Sequence, residues 1–226
     1  MVAECWALKS HGKIALNGFN VIVFNINKTF SSLKIFSNLQ AILLLHFKKP
    51  LEETQQKYRI TIMKKQKIPS TAATRFLKVN KTEFKPLFYE YKEHGGTKEA
   101  SKQLNIDEHR IVKTLVLEDS NKKGLIVLMN GDMEVSFKKL ARLIGVKSVS
   151  LCKPDKANRY SGYVVGGTSP FGFKTKLPIY AQKDIFEYEK IIINGGQRGF
   201  LIEISTEKLK ELLNPTIADI GLKEQN

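Results

Sequence analysis

A chain of 226 residues, 42% hydrophobic and 26% charged, is long enough to bury a core in one domain with an appendage, and its composition excludes wholesale disorder. Its 37 basic residues against 22 acidic ones leave a formal charge of +15, which draws polyanions, nucleic acid first among them, although a merely soluble basic protein fits charge alone equally well. The cysteines Cys5 and Cys152 lie far apart and the histidines His11, His46, His94 and His109 are scattered, so neither a disulfide framework nor a zinc site is expected. No HExxH or GxSxG pattern is present, which leaves metal and serine-triad hydrolysis without support. A reducing, cytoplasmic compartment and no cofactor follow as defaults.

Residues 1–62 carry eight basic and three acidic side chains and are rich in Asn, Lys, Ile and Phe, with no turn-bounded strand or sustained helical stripe expected. Their most apolar stretch, Ile35 to Phe47, runs thirteen residues without a charge, too short for a membrane span and too deep for a secretory signal. No membrane contact is expected. The segment is taken as an N-terminal extension, either translation begun ahead of a natural start at Met63 or, with only Arg59 as arginine, a less fitting targeting presequence. Residues 63–226 form the expected domain.

Small polar residues at Pro69-Ser70-Thr71 can cap a helix with Ala73, Phe76 and Leu77 on one face. Phe84 to Tyr91 reads as a strand that Pro86 confines to an edge, and Thr97 to Leu104 as a second helix. Ile111 to Leu117 and Leu125 to Met129 flank a polar turn and predict a hairpin. Ser136 caps a helix bearing Phe137, Leu140, Ala141 and Ile144 and closed by Gly145. A strand at Val146 to Leu151 follows, then strands at Ile191 to Ile193 and Phe200 to Ile204, then a helix from Glu207 to Leu213 led by Thr206. Short turns between neighbouring strands predict an α+β fold with a mixed, largely antiparallel curled sheet and flanking helices.

Three places hold residues that packing does not explain. Strand periodicity puts Lys113 on one face with Ile111, Leu115 and Leu117, where an ammonium snorkels to the rim, pairs with an anion, or sheds its charge; an edge lysine is the plain alternative. Ser161-Gly162-Tyr163-Val164-Val165-Gly166-Gly167-Thr168-Ser169-Pro170-Phe171-Gly172 exposes backbone that could converge on an oxygen or phosphate, or forms a simple loop. Gly195-Gly196-Gln197-Arg198-Gly199 projects an arginine from a glycine turn, for which tight-turn chemistry is sufficient cause.

The succession Val112-Lys113-Thr114-Leu115, Asn130-Gly131-Asp132-Met133, Gly166-Gly167-Thr168-Ser169-Pro170-Phe171-Gly172 and Gly195-Gly196-Gln197-Arg198-Gly199 resembles the YbaK branch of the prolyl-tRNA synthetase editing-domain superfamily. The resemblance spans about residues 68–222, from Thr71-Ala72-Ala73 to Ile217-Ala218-Asp219-Ile220. It implies a single compact editing domain that deacylates misacylated tRNA, Cys-tRNA(Pro) above all, with aminoacyl-tRNA and prolyl-tRNA synthetase as partners and no metal. By the same resemblance Lys113 is the essential residue. Tyr89, Thr114, Gly162, Tyr163, Gly166, Gly167, Ser169, Pro170, Asn194, Gly195, Gly196 and Arg198 then surround the aminoacyl end.

The implied chemistry lets the substrate thiol attack its own ester, with N–H groups of the Gly166 to Gly172 loop near the developing oxyanion. The chain departs from the family pattern where Phe200-Leu201 stands for Leu-Asp and Asn194 for a serine. Loss of that carboxylate leaves the amino-acid preference open. Two alternatives stand beside this reading: a deacylase of another misacylated tRNA that uses water, and a non-catalytic RNA-binding module. In the RNA-binding module, Lys138, Lys139, Arg142, Lys174, Lys176 and Arg198 would track phosphates.

Overall fold

The computed structural model describes residues 13–16, 19–22 and 67–223, and the chain divides between Thr61 and Ile62 into two units. In the first unit β1 (Lys13–Leu16) and β2 (Phe19–Ile22) pair antiparallel, Leu16 opposite Phe19. The two residues between them in sequence are Asn17-Gly18, the dipeptide that most favours a two-residue hairpin, so the expectation of no turn-bounded strand there is corrected. The expectations about Met63 and Ile35 to Phe47 lie outside the described residues.

In the second unit α1 (Ala72–Val79) starts where Thr71 and Thr74 cap each other, a device that stabilises a helix by about 1 kcal/mol. Its Ala73 and Leu77 are wholly buried, and Phe76 stacks on Phe171 with ring centroids 6.1 Å apart. The short strand β3 (Lys85–Phe88) pairs on one side only, with Pro86 opposite Ile202; a residue lacking an N–H donor thus sits at a sheet edge. The helix α2 (Gly96–Leu104) and a 3-10 turn, Glu108–Arg110, lead into β4 (Ile111–Asp119), which pairs antiparallel with β5 (Gly124–Asn130) from Val112 to Glu118.

After β6 (Met133–Val135), Ser136 caps α3 (Phe137–Ile144) and Gly145 closes it in the left-handed conformation, as its sequence predicts. The strand expected at Val146 to Leu151 shrinks to β7 (Val149–Leu151), because Val146 instead bonds back to the Ala141 carbonyl and completes the helix end. Then come α4 (Pro154–Ser161), β8 (Ile179–Gln182), β9 (Lys190–Gln197) and β10 (Phe200–Ser205). The helix α5 (Thr206–Leu213) is capped by Ser205, not Thr206; the Thr206 hydroxyl donates to the Tyr188 carbonyl instead. The strands β11 (Thr216–Ala218) and β12 (Gly221–Lys223) finish the chain.

The main sheet runs β11-β8-β5-β4-β9-β10-β3, with β7 also on β4. It is mixed, as expected: β4/β5, β4/β7, β9/β10 and β10/β3 are antiparallel, whereas β4/β9, β5/β8 and β8/β11 are parallel. The parallel pairs join strands far apart in sequence, whose connections are long enough to cross over. One face carries the cluster of Val112, Ile126, Leu128, Ile193, Ile202 and Phe171. The other carries two clusters, Leu117 with Val127 and Met129, and Ile111 with Ile192 and Leu201. Among the described residues no helix is long and apolar enough to cross a membrane.

Candidate functional site

The sheet forks at β4. On the side away from β5, Ile111 and Val112 pair with Ile192 and Ile193 of β9, whereas Leu117, Glu118 and Asp119 pair with β7. Cys152 N–H reaches the Val116 carbonyl at 3.0 Å. Between these two partners, Lys113, Thr114 and Leu115 have no strand on that side among the described residues. Strand alternation sends the backbone groups of Lys113 and Leu115 to β5 and turns those of Thr114 toward the gap, as the Val116 carbonyl toward Cys152 shows.

Alternation along β4 separates its side chains. Lys113 shares a face with Ile111 and Leu115 and stands opposite wholly buried Met129 of β5, half-buried itself. Among the described residues it forms no ion pair. The β4/β9 register ends with Val112 opposite Ile193, one residue short of Lys113; the next residue of β9, Asn194, pairs with Leu201, which pairs with Leu87. Leu201 packs with Ile111 and Ile192, and Tyr89 lies against the same cluster. Burial pushes the Tyr89 phenol upward, opposed by the Gly199 backbone and reinforced by nearby Tyr91. Thr114 does not join this row: it points to the opposite face, its Oγ1 buried and unpartnered among the described residues.

Asn194 ties the row to the glycine loop. Its Nδ2 donates to the Gly166 carbonyl at 3.1 Å, and its Oδ1 accepts from Gly196 N–H at 2.7 Å. Arg198 Nε donates to the Val165 carbonyl at 3.0 Å, and the guanidinium carbon lies 4.9 Å from the Tyr91 ring centroid. Gly166, Gly167, Asn194, Gly195, Gly196 and Arg198 thus meet in one place. The Thr71 hydroxyl that caps α1 also donates to the Gly195 carbonyl at 2.6 Å. A Cβ on Gly196 would stand 2.8 Å from Tyr163 and 2.9 Å from Thr71, too close for any side chain but hydrogen.

Other expected site residues build the loop's underside. Gly162 closes α4 in the left-handed conformation. Tyr163 donates to the Phe171 carbonyl at 2.5 Å; burial pushes its phenol up to about 12, against smaller pulls from the Ala73 backbone and Arg75. It is a neutral donor at any physiological pH. Ser169 is wholly buried and its Oγ accepts from Phe171 N–H at 3.4 Å, with Pro170 buried beside it. Of the basic residues expected to track phosphates, Lys139 is engaged by Asp219 at 3.3 Å and by the Gly221 carbonyl, whereas Lys138, Arg142, Lys174, Lys176 and Arg198 are exposed.

The fourth matched motif lies apart from that meeting point. Wholly buried Asn130 donates to the His109 carbonyl at 2.8 Å, Asp132 meets His109 Nδ1 at 2.6 Å, and Thr97 donates to Glu108 and to the Gly131 carbonyl. A methyl on Gly131 would overlap the Glu108 carbonyl. This corner locks the 3-10 turn to the end of β5 and thereby sets where β4 begins, two residues before Lys113.

Comparison with known proteins decides the family. Residues 93–212 match the profile of the aminoacyl-tRNA editing domain. The chain is 32% identical over 162 residues, 71% of its own length and 99% of the relative's, to an Enterococcus faecalis protein named "Putative Cys-tRNA(Pro)/Cys-tRNA(Cys) deacylase EbsC". The chain belongs to the aminoacyl-tRNA editing domain family. A proline–tRNA ligase of Caldicellulosiruptor saccharolyticus is 28% identical over 123 residues, which are 52% of this chain and 21% of the ligase; the chain thus spans about a fifth of that enzyme. A crystal structure described as "of a putative trans-editing enzyme for prolyl tRNA synthetase" superposes with a TM-score of 0.60 at 24% identity over 70% of this chain and all of that one, which shows the shared fold.

Within this editing domain, two site features escape the sequence. Tyr91, under Arg198, belongs to no motif, and only its spacing of two residues from Tyr89 along an extended segment hints that both share a face. The helix α4 was also missed, since Pro154-Asp155-Lys156-Ala157-Asn158-Arg159-Tyr160-Ser161 has no apolar stripe; Pro154 at its first turn, with Asp155 beside it, was the available signal.

Proposed function

We propose that this editing domain deacylates a misacylated tRNA in trans, with Cys-tRNA(Pro) as substrate and prolyl-tRNA synthetase as the partner that presents it. The carrying observation is Lys113, a cation on an otherwise apolar strand face, paired with β5 on one side and standing on the other at the fork between β9 and β7, one residue past the β4/β9 pairing that leads into the Asn194 holding the Gly166 loop. The name of the Enterococcus faecalis relative, matched over 99% of its length, supports the substrate class.

In this scheme the thiolate sulfur of the bound cysteine bonds to its own ester carbonyl carbon. The carbon–oxygen bond breaks, and the 3′-terminal ribose oxygen leaves and takes up a proton. Cysteine departs as a strained thiolactone that water opens. The protein supplies enforced proximity and an oxyanion environment built from N–H groups of the Gly166 to Gly172 loop. The Lys113 ammonium holds the terminal phosphate or ribose. Leu201, packed into the apolar cluster, leaves the amino-acid pocket without the family's carboxylate, so shape and not charge selects the side chain.

A panel of aminoacylated tRNAs tests the scheme. Cys-tRNA should lose its ester at least about a hundredfold faster than Ser-tRNA, because an unactivated hydroxyl is a far poorer nucleophile than a partly ionised thiol. Ala-tRNA should be inert. Equal rates for the three at matched binding would replace the thiol by water, and no cleavage of any would leave only the RNA-binding alternative.

A further inference from the structure

We propose that Tyr91 and Arg198, stacked beside Gly166, seat the single-stranded 3′ end of the tRNA, with the free guanidinium edge of Arg198 on a phosphate and Tyr91 as its positioning residue. The inference rests on the editing reading above and deepens it. Arg198 is exposed and, among the described residues, has no carboxylate within 4.0 Å. It is nevertheless held twice, its Nε on the Val165 carbonyl at 3.0 Å and its guanidinium carbon over the Tyr91 ring, 4.9 Å from the centroid. An unconstrained surface arginine loses rotamer freedom on binding a ligand; here much of that ordering exists beforehand, and the two terminal nitrogens remain for a bidentate phosphate contact.

The surroundings fit a nucleic-acid end and not a solvated ion pair. Gly166 has φ of +87°, and a Cβ there would stand 3.2 Å from Tyr91 Oη and 3.3 Å from Arg198 Nε. A side chain at this position would therefore wedge the stack apart. Val164 and Val165 are 59% and 43% exposed, an apolar shelf next to a cation, on which a base face can lie while its phosphate meets the guanidinium. The Asn194 bridge to the Gly166 carbonyl connects this shelf to the end of the β4/β9 pairing, one residue short of Lys113, so a strand seated here delivers its terminus toward the fork.

The test uses the full chain and two unacylated RNA hairpins, one with a single-stranded CCA overhang and one blunt, followed by fluorescence anisotropy over a salt series. Wild type should prefer the overhang by about tenfold. Arg198→Ala and Tyr91→Leu should each erase that preference while changing blunt-hairpin affinity by less than about twofold, and Arg198→Ala should reduce the salt slope on the overhang probe by about one. Tyr91→Phe keeps the ring and should retain the preference. Equal weakening of both probes by Arg198→Ala, an unchanged preference, or none in wild type would overturn the seat. Ester cleavage is scored separately. Overhang preference without cleavage removes the enzymatic proposal and spares this one, whereas cleavage without preference does the reverse.

Discussion

Two corners of the molecule are built on obligatory glycines, and they end differently. At Asn130-Gly131-Asp132 the side chains turn inward onto His109, Thr97 and Glu108, and wholly buried Asn130 fixes the turn through its Nδ2, its Oδ1 lying sealed from solvent without a partner among the described residues. At Gly166 and Gly195-Gly196 the internal bonds stop short: Arg198 keeps its terminal nitrogens, Val164 and Val165 stay exposed, and Lys113 faces an unpaired stretch of strand. Both motifs carried the family resemblance equally well. What separates a structural corner from a ligand-facing one is whether the polar groups left over after the fold has used its own can be reached from solvent: Asn130 Oδ1 cannot, the Arg198 guanidinium can.

That contrast can be broken by three changes, the largest first. Lys113→Ala should cut deacylation by at least about a thousandfold in single-turnover assays while leaving the melting temperature within about two degrees, since removing a half-buried ammonium leaves no partner stranded. Lys113→Arg should not rescue, its planar fork being larger and differently hydrated. Substantial turnover by either variant would move the active centre off the fork.

Gly131→Ala and Gly166→Ala form the second test. The Gly131 methyl meets backbone, which cannot yield cheaply, and should cost about 3 kcal/mol of stability in chemical denaturation. The Gly166 methyl meets the ends of Tyr91 and Arg198; with its positive φ the cost should be only about 1–2 kcal/mol, yet overhang binding should be lost. Equal stability losses with equal binding would erase the distinction between the corners.

The smallest effect concerns the far end of β4, where Lys156 pairs with Glu118. The bond to Lys156 holds the Glu118 carboxyl below its ordinary range. Its stabilisation is therefore complete above the unfolded carboxylate pKa and lost as pH falls through the lower folded one. Glu118→Gln cannot titrate, so its melting temperature should fall less than that of wild type between about pH 5 and about pH 3. Parallel acid limbs would mean the pair contributes nothing.

Much of this was legible in the residues. The β4/β5 hairpin followed from alternation, α3 from Ser136 and Gly145, and the edge position of β3 from Pro86, because each rests on local backbone chemistry. Lys113 stood out because a charge broke an apolar period. The fork was not legible: it depends on β4 taking a parallel partner some eighty residues later and an antiparallel one some thirty residues later, and no local pattern encodes which of two distant strands wins. The separation of Thr114 from Lys113 follows from strand alternation alone, yet motif matching grouped them. Gly162, Tyr163 and Ser169 were grouped with the ligand contacts, whereas their bonds serve helix closure and loop packing.

The fork has one further consequence. A crevice opened by parting two strands is floored by main chain, and main chain is the one part of a protein that substitution cannot delete. Side chains around such a floor, Leu201 and Asn194 among them, can be exchanged without removing its main-chain edge. On the proposed function, the choice of amino acid would then rest on exchangeable side chains and the hold on the ester on the main chain.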